Sequence, residues 1–556
     1  MLKRGDILKV AHVLKKSTCN RCYFLLFAAL LTLGSTSRVH ATIDTDTSSL
    51  PAIQDSLKEK VLDTEHTGTS DQLHNLALQH KSRGEYSTAV SLLQRALSAD
   101  EKTYGPDHPR VAVRSTSLAL LYHDMGSNDR AEPLYGRALS RHKTVSGPSH
   151  PDTAGALTNL AKLYYDWGQY GKAEPLYQRA LAIYEKQNGP AHPSVATVLN
   201  YLAMLYQSLG NYSEAKSLYE RGLAIDEAVY GPHHPAVARD VSNLAKLYYD
   251  RGDYGQAESL YDRVLAIDEQ AYGPRHTAVA RDMSNIAGVH FARGQYARAK
   301  LLYERSLAID ETVYGPRHPA VGDDLNNLAR LYCALGNYQR AQSLYEQALL
   351  IFEESCGPVH TRVATVLNNL AQLHALLDDY EKAESYYEQA LFIYKKVFDE
   401  KHPRVATVLN NLAGLHYAIG EYNRAKPLYE EALSIDEAFY GGEHPRVSIR
   451  LNNLAELYLA MGEYDRAQNL YEQALTIAET SGQPELLWNL QFNLGYLLAM
   501  EQNPYAAIFF GKQAVNTIQD MREGIVEIEK DLQSSFLDTK WYVYRFLAGL
   551  LIDLGR

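Results

Sequence analysis

Several residue types are scarce in this chain of 556 residues. It holds 4 cysteines, 3 tryptophans and 20 prolines, and no basic run follows residue 41. Cys19 and Cys22 form one Cys-x-x-Cys pair without a second, which excludes a four-cysteine zinc site. The absence of a basic stretch, together with a net charge of −11, argues against a nucleic-acid-binding protein.

The N-terminus has the pattern of an export signal. Basic residues are followed by an apolar run from Tyr23 to Leu33, which is short for a membrane span, and then by Val39-His40-Ala41. Small or apolar residues at these positions predict cleavage after Ala41 and an exported, periplasmic or secreted, mature protein. The alternative is an uncleaved segment that anchors the chain.

Tyrosine is abundant, with 41 residues against 12 phenylalanines, and this excess indicates one motif copied many times. The copied motif is Gly-Pro-x-His-Pro or a close variant, spaced by 42 residues. Ten histidines share its register: His66, His108, His150, His192, His234, His276, His318, His360, His402 and His444. A fixed period of this length predicts stacked supersecondary units, because a chain this long exceeds one compact core.

Each unit reads as two antiparallel helices. In residues 402–441, apolar residues recur every three or four positions on either side of Gly420. Pro403 suits a first helical turn, and Gly441 suits a left-handed helix end. Neither helix can bury its apolar face alone, so neighbouring units must cover it. Cys333 and Cys356 fall near opposite ends of one such hairpin, about 20 Å apart, which predicts free thiols.

Small residues and tyrosines at fixed positions identify the type of repeat. One unit shows them all: Leu157, Leu160, Ala161, Tyr164, Ala173, Tyr177 and Ala180. This pattern resembles the tetratricopeptide repeat, and the 42-residue length looks like the repeats of kinesin light chains and their bacterial relatives. The resemblance implies an all-α fold: a right-handed superhelix of about ten hairpins with a degenerate eleventh and terminal helices. The coiled coil of kinesin light chains is missing, so no motor role is implied.

The predicted organisation has four parts: a signal peptide (1–41), a linker (42–65), the repeat array (66–483) and a C-terminal region (484–556). That last region contains the degenerate repeat, a long helix with a coiled-coil-like seam and an unpaired terminal helix. Residues 506–556 resemble the segment that joins repeats to a caspase-like CHAT protease in bacterial proteins. The protease itself is missing from this sequence. A regulatory or vestigial arm of such a system is therefore the alternative function.

Two polar series are candidates for function. The linker histidines are too far apart to share a metal, so we expect them to cap helix starts. Asparagines recur in mid-helix, where they are mediocre helix formers. In tetratricopeptide proteins these positions face the concave groove and grip a peptide backbone. The residues concerned are Asn159, Asn243, Asn285, Asn327, Asn369, Asn411 and Asn453. The preceding positions, Asn200, Asn326, Asn368, Asn410 and Asn452, form a second and weaker series of candidates for the same groove contact. The alternative is a ladder of asparagines that form hydrogen bonds between adjacent helices.

Basic residues fall on the same predicted face of the central units: Lys162, Arg239, Lys246, Arg281 and Arg330. Aromatic residues lie one turn further along, at Tyr165, Tyr249, Phe291 and Tyr417. Such a groove would favour an extended acidic peptide. Asp166, Asp250 and Asp323 are close enough to neutralise part of this charge, and a solvated surface of mixed charge is the alternative.

No phosphate-binding glycine loop, metalloprotease motif or nucleophile elbow occurs in the sequence. Recurrent residues all have packing roles. The sequence therefore predicts no catalytic residues, metal or cofactor. It predicts a non-catalytic scaffold that binds a protein or an extended peptide, with no membrane span in the mature chain and no nucleic-acid partner.

Overall fold

The computed structural model describes residues 70–481, 483–523 and 540–554. The predicted signal peptide and its cleavage site, the linker 42–65, His66 and most of the predicted seam lie outside these residues. Within the described residues the chain forms helices joined by short connections. The helices are α1 Ser70–Ser82, α2 Tyr86–Tyr104, α3 Pro109–Asp124, α4 Asn128–Val145, α5 Pro151–Asp166, α6 Tyr170–Asn188, α7 Pro193–Ser208, α8 Tyr212–Tyr230, α9 Pro235–Asp250, α10 Tyr254–Tyr272, α11 Thr277–Ala292, α12 Tyr296–Tyr314, α13 Pro319–Ala334, α14 Tyr338–Cys356, α15 Thr361–Leu376, α16 Tyr380–Val397, α17 Pro403–Ala418, α18 Tyr422–Tyr440, α19 Pro445–Met461, α20 Tyr464–Ser481, α21 Pro484–Met500, α22 Pro504–Glu523 and α23 Trp541–Asp553.

Consecutive helices pair into antiparallel hairpins, α1 with α2 through α21 with α22, and each hairpin packs on the next. This is the predicted all-α solenoid. The close contact within a hairpin depends on alanines: Ala413 and Ala425 are completely buried where α17 and α18 meet. Tyr429 and Ala432 lie further along α18 and are also buried, with exposures of 3% and 0%. A larger side chain at Ala425 would overpack this contact and cost about 1–3 kcal/mol.

The linker histidines begin the first helices. In all nine described copies the imidazole Nδ1 accepts a hydrogen bond from the backbone N–H two residues later, as in His234 to Ala236 (3.1 Å) and His402 to Arg404 (3.1 Å). This satisfies one of the unpaired N–H groups of the first turn. The predicted capping role is confirmed for these nine.

The turn inside each hairpin needs a left-handed residue. Glycine supplies it in most units, and φ is 76° at Gly168 and 83° at Gly420. Asp378 stands at the same position with a φ of 60°, and aspartate is one of the few other residues that tolerate it. Cys333 and Cys356 are both free thiols, as predicted.

The solenoid is wound tightly enough for successive superhelical turns to touch. The turns of the first four hairpins lie against the linkers that open the seventh to tenth hairpins. His360 Nε2 is 3.3 Å from the carbonyl oxygen of Asp124, and the rings of Tyr170 and Phe439 are 5.2 Å apart. A Cβ built on Gly210 would lie 2.5 Å from His444 Cδ2. One superhelical turn therefore takes about six hairpins, and at Gly168 and Gly210 the histidine ring leaves no room for a Cβ.

This contact buries histidines that would otherwise face solvent. His318 and His444 are 1% and 8% exposed, whereas His150 and His276 on the first superhelical turn are exposed. Burial, helped by the nearby positive charges of Arg362 and Arg446, lowers the pKa of both His318 and His444 to about 3. Both rings are neutral at physiological pH, as packing between superhelical turns requires.

The C-terminal end of the solenoid is covered by α23. Val543 is fully buried against Trp488 of α21 and Ile518 of α22, and Leu547 lies next to Gly511. The indole N–H of Trp488 donates to Glu485, whose other oxygen lies 3.3 Å from Lys540 Nζ. The eleventh hairpin (α21–α22) thus packs onto the array, and α23 packs onto this hairpin. In the described part of the chain, no helix has both the length and the apolarity needed to cross a bilayer.

Candidate functional site: the concave face

The first helices of successive hairpins form the inner side of the curve. They contact one another directly, as α7 contacts α5 and α9, and as α17 contacts α15 and α19. Each second helix is held mainly by the first helices on either side of it. Residues along the first helices therefore line the concave face, which is where the sequence places the asparagine, basic and aromatic series.

The asparagines divide into two groups. Three of them, Asn369, Asn411 and Asn453, are buried, and each donates its side-chain N–H to the asparagine 43 residues earlier. The acceptors are the Oδ1 atoms of Asn326, Asn368 and Asn410, at 2.8–2.9 Å, and Asn493 continues the series to Asn452 at 2.9 Å. We call this series the asparagine ladder. In these hairpins the asparagines bond between adjacent first helices, which the sequence analysis gave as the alternative to groove contact. Their amide groups therefore stabilise the stacking of the hairpins.

The other four asparagines, Asn159, Asn243, Asn285 and Asn327, are half-buried and lie outside the ladder. The positions 43 residues earlier hold Thr116, Asn200, Ser242 and Ser284, so only Asn243 has an asparagine there. Asn200 instead donates to Asp240 Oδ1 at 2.8 Å, and Ser284 donates to Asp324 at 2.9 Å. These four amides are accordingly the ones that remain candidates for contact with a peptide.

Buried carboxyl pairs hold two of the predicted groove arginines. Arg239 donates to Asp226 (3.1 Å) and to Asp240 (2.9 Å). Arg281 repeats the arrangement one hairpin later, at 3.0 Å to both Asp268 and Asp282. The guanidinium groups nevertheless keep side-chain exposures of 49% and 35%. Each arginine is thus oriented and partly neutralised by the two carboxyl groups it contacts, and part of its side chain stays exposed.

Packing two carboxyl groups together makes it hard for both to ionise. Burial raises the pKa of Asp240 to about 6 and that of Asp282 to about 7, against the pull of the adjacent arginines. One hairpin further on, burial and the neighbouring Asp323 charge raise the pKa of Asp310 to about 7. At pH 7 Asp282 and Asp310 are therefore partly protonated, whereas Asp240 is mostly ionised and depends on Arg239 for compensation.

The remaining basic residues differ in their surroundings. Lys246 Nζ lies 2.9 Å from Asp250 Oδ2. Asp250 therefore offsets the charge of a groove lysine, as the sequence predicts. Lys162 is half-buried, and Arg330 lies 5.2 Å from the ring centre of Phe291 as a cation–π pair. Asp166 pairs with His123 at 2.8 Å.

Asp323, the last of the predicted neutralisers, pairs with Arg362 at 3.1 Å, so it acts on a different arginine from those in the predicted groove set. Asp250 therefore contacts a predicted groove cation, and Asp323 contacts an arginine outside the predicted set. The arginines are instead neutralised from below by the carboxyl pairs.

The predicted aromatic residues line the same face and are half-buried. Each packs against the tyrosine that opens the second helix of its own hairpin. The ring centres are 5.3 Å apart for Tyr165 and Tyr170, 5.6 Å for Tyr249 and Tyr254, 5.6 Å for Phe291 and Tyr296, and 5.8 Å for Tyr417 and Tyr422. The rings are therefore fixed in place by packing and stay partly exposed.

The carboxyl pairs are the feature that the sequence analysis missed. Their signal was available: an aspartate near the end of a second helix recurs 14 residues before an aspartate in the next first helix, at 226 and 240, 268 and 282, and 310 and 324. Asp100–Arg114 and Asp436–Arg450 occupy the same positions with an arginine as the second member, at 3.0 and 2.8 Å. Reading these two positions together across the repeats would have shown that they face each other. Within the described residues, no group of three or more His, Cys, Asp or Glu is placed to hold a metal ion.

A family model described as tetratricopeptide repeat matches nearly the whole described array. The matched stretches are 69–139, 112–186, 194–270, 240–312, 283–354, 320–396, 362–438 and 404–480. The chain therefore belongs to the tetratricopeptide repeat family. Such solenoids present an extended concave surface, and the fold supports a protein-interaction scaffold.

Several solved structures are similar to this chain. BtubC (BKLC) from P. vanneervenii is 27% identical, with a TM-score of 0.34, over 41% of this chain and 90% of that one. A kinesin-light-chain-type protein from Podosopora anserina with nearly identical TPR-like repeats is 30% identical, with a TM-score of 0.32, over 37% and 98%. A Rap protein complexed with Competence and Sporulation Factor is 14% identical, with a TM-score of 0.46, over 67% and 99%. A comparison with curated proteins gives no match.

Proposed function

We propose that this protein is a non-catalytic scaffold that binds an extended peptide segment of a partner protein along its concave face. The observation that carries the proposal is the run of half-buried amides at Asn243, Asn285 and Asn327, spaced by one hairpin and left outside the asparagine ladder. A side-chain amide has both a donor and an acceptor, which matches the two polar groups of a peptide unit. A regular row of them suits a regular extended backbone.

The peptide we propose is one that carries acidic side chains. The side chains of Arg239 and Arg281 stay partly exposed, and their ion pairs with the carboxyl pairs restrict their rotamers. A guanidinium that is already oriented loses less freedom when it binds a carboxylate. We also propose that the scaffold works outside the cytoplasm, because of the export pattern in residues 1–41.

The test uses a display library of extended peptides, one half rich in Asp and Glu and the other rich in Lys and Arg. Bound peptides are measured against wild type, against Asn243→Ala/Asn285→Ala/Asn327→Ala, and against Arg239→Glu/Arg281→Glu. We expect acidic peptides to be selected, and the asparagine variant to bind at least about tenfold more weakly. The arginine variant should also lose affinity, with a loss that shrinks in high salt.

Unchanged binding by a folded asparagine variant would contradict the concave-face proposal. Equal selection of both peptide classes would contradict only the acidic preference. The matched control is Leu301→Ala/Leu350→Ala, whose side chains are 66% and 56% exposed on second helices, and this variant should bind as wild type does.

A further inference from the structure

The two rims of the superhelix carry complementary surfaces. At one rim lie the turns inside the hairpins, and at the other lie the linkers between them. Within the chain, the turns of the first four hairpins are covered by the linkers of the seventh to tenth. We call the turns of the seventh to tenth hairpins the open turn rim, and the linkers that open the second to sixth hairpins the open linker rim.

The open turn rim is more apolar than an ordinary solvated edge. Leu335, Leu377 and Ile419 each precede the left-handed turn residue, and their exposures are 48%, 43% and 37%. The corresponding residue of the tenth hairpin, Met461, is half-buried. At this repeat position the four covered turns have Arg83, which is exposed, and Met125, Trp167 and Leu209, which are half-buried. At Met125, Trp167 and Leu209, a linker from six hairpins later lies over the turn, and none lies over the turns at Leu335, Leu377 and Ile419.

The open linker rim shows the matching contrast. Its exposed apolar residues are Tyr104 (48%), Val145 (58%), Val229 (50%), Tyr230 (43%) and Tyr272 (48%). In the covered linkers, Tyr314 is 2% exposed and Val397, six hairpins after Val145, is 9% exposed. Residues at equivalent repeat positions are thus buried where a turn lies on the linker and exposed where none does.

Both rims already have the geometry of the covered contact. The rings of Tyr230 and Tyr272 stack on His234 and His276 at 4.6 and 4.5 Å, as Tyr314 stacks on His318 at 4.2 Å. A Cβ built on Gly420 or Gly462 would meet nothing within 4 Å, which leaves room for a histidine ring such as the one that lies on Gly210. Neither rim would need to rearrange, so little ordering cost opposes their contact.

We propose that the open turn rim of one molecule docks onto the open linker rim of a second copy of this chain. The second copy is the occupant because the contact is one that the chain already makes with itself, between residues that every copy carries at the same repeat positions. The two rims differ, so the contact is heterologous and joins molecules head to tail along the superhelical axis. Isolated apolar residues are normal on a surface, whereas two matching rows are the mark of an interface.

The test measures mass against concentration by analytical ultracentrifugation of the full chain. One variant blocks the open turn rim (Leu377→Glu/Ile419→Glu) and another blocks the open linker rim (Tyr230→Glu/Tyr272→Glu). Wild type should form concentration-dependent oligomers in the micromolar range. Each variant alone should be a monomer, and an equimolar mixture of the two should stop at a heterodimer, because each supplies the rim that the other lacks.

Leu301→Glu/Leu350→Glu adds the same charges outside both rims and should associate like wild type. Circular dichroism establishes that each variant is folded. Three results would overturn the proposal: a wild type that stays monomeric, a rim variant that still forms oligomers, or a mixture that gives no heterodimer. A monomeric wild type that is destabilised by the rim substitutions would mean that the chain's own terminal segments cover the rims.

Discussion

At the scale of single residues, asparagine has two roles in the first helices. In the ladder, a buried amide donates to the amide of the preceding hairpin, and removing it leaves the partner without a hydrogen bond. In the central hairpins, the amide stands on the concave face outside the ladder. The same residue type at the same repeat position therefore stabilises the fold in one half of the solenoid, and in the other half we propose that it contacts a ligand.

This division predicts opposite behaviour for two matched triple variants. Asn369→Ala/Asn411→Ala/Asn453→Ala should lower the free energy of unfolding by several kcal/mol, since each unsatisfied buried amide costs about 1–3 kcal/mol. Asn243→Ala/Asn285→Ala/Asn327→Ala should leave it nearly unchanged, because alanine is the better helix former. Thermal and urea unfolding of both variants provide the measurement. Similar losses from the two would show that the central amides are also structural.

The carboxyl pairs give stability a pH dependence. The pKa of Asp282 is about 7 in the folded protein and near 4 when unfolded, so the folded state binds this proton more tightly. Its stabilising effect is complete below about pH 4 and is lost as the pH rises through 7. Asp282→Asn keeps the shape without the ionisation, and it should raise the unfolding free energy at pH 8 by about 1–2 kcal/mol. Denaturant titrations from pH 5 to 8 measure this effect.

Asp465→Asn is the control for that experiment, since Asp465 is exposed on α20. It should leave the pH profile unchanged. If the Asp282 variant followed the wild-type profile, the carboxyl pair would not hold a proton at neutral pH.

At the scale of elements, the hairpin was predictable and the contact between superhelical turns was not. The helices follow from local signals: apolar periodicity, a histidine cap and a glycine at each end. The contact of Gly168 with His402 depends on the small rotation between neighbouring hairpins, accumulated over six of them. No local sequence pattern determines this accumulated rotation. Whether an asparagine bonds to its neighbour or faces the groove depends in the same way on the lateral fit of two first helices, as Asn369 and Asn285 illustrate.

The contact between superhelical turns can be isolated by one pair of substitutions. Gly168→Ala and Gly420→Ala place alanine at the same turn position, with φ of 76° and 83°, so both should lose about 1 kcal/mol to backbone strain. Only Gly168→Ala puts a Cβ into the ring of His402. It should therefore be the less stable variant, and amide exchange should become faster at the start of α17. Equal stability and equal exchange in the two variants would mean that the superhelical turns do not touch in solution.

At the scale of the whole molecule, repetition makes the solenoid tolerant of changes in length. Each hairpin packs only on its neighbours and, six hairpins away, on another linker of the same kind. Deleting the whole unit 276–317 leaves every remaining hairpin with an equivalent neighbour, and the turn at Gly84 meets the linker of His360 in place of that of His318.

Deletion of residues 276–317 should therefore preserve helicity and cooperative unfolding. Deletion of 21 residues, such as 276–296, removes one helix and leaves the apolar face of its partner uncovered, so this variant should aggregate or melt much earlier. Circular dichroism and solubility distinguish the two. Equal damage would contradict the 42-residue register.

The central claim, that partners bind along the concave face, is tested most directly by site-specific photo-crosslinking. A photoreactive amino acid replaces Asn285 on α11 in one protein and Leu301 on α12 in another, and each is exposed to the acidic peptides selected from the display library. The first residue is half-buried on the concave face, and the second is 66% exposed on a second helix. We predict strong crosslinking from position 285 and only background from position 301. Crosslinking from position 301 with none from 285 would place the binding surface on the outside of the solenoid and contradict the account.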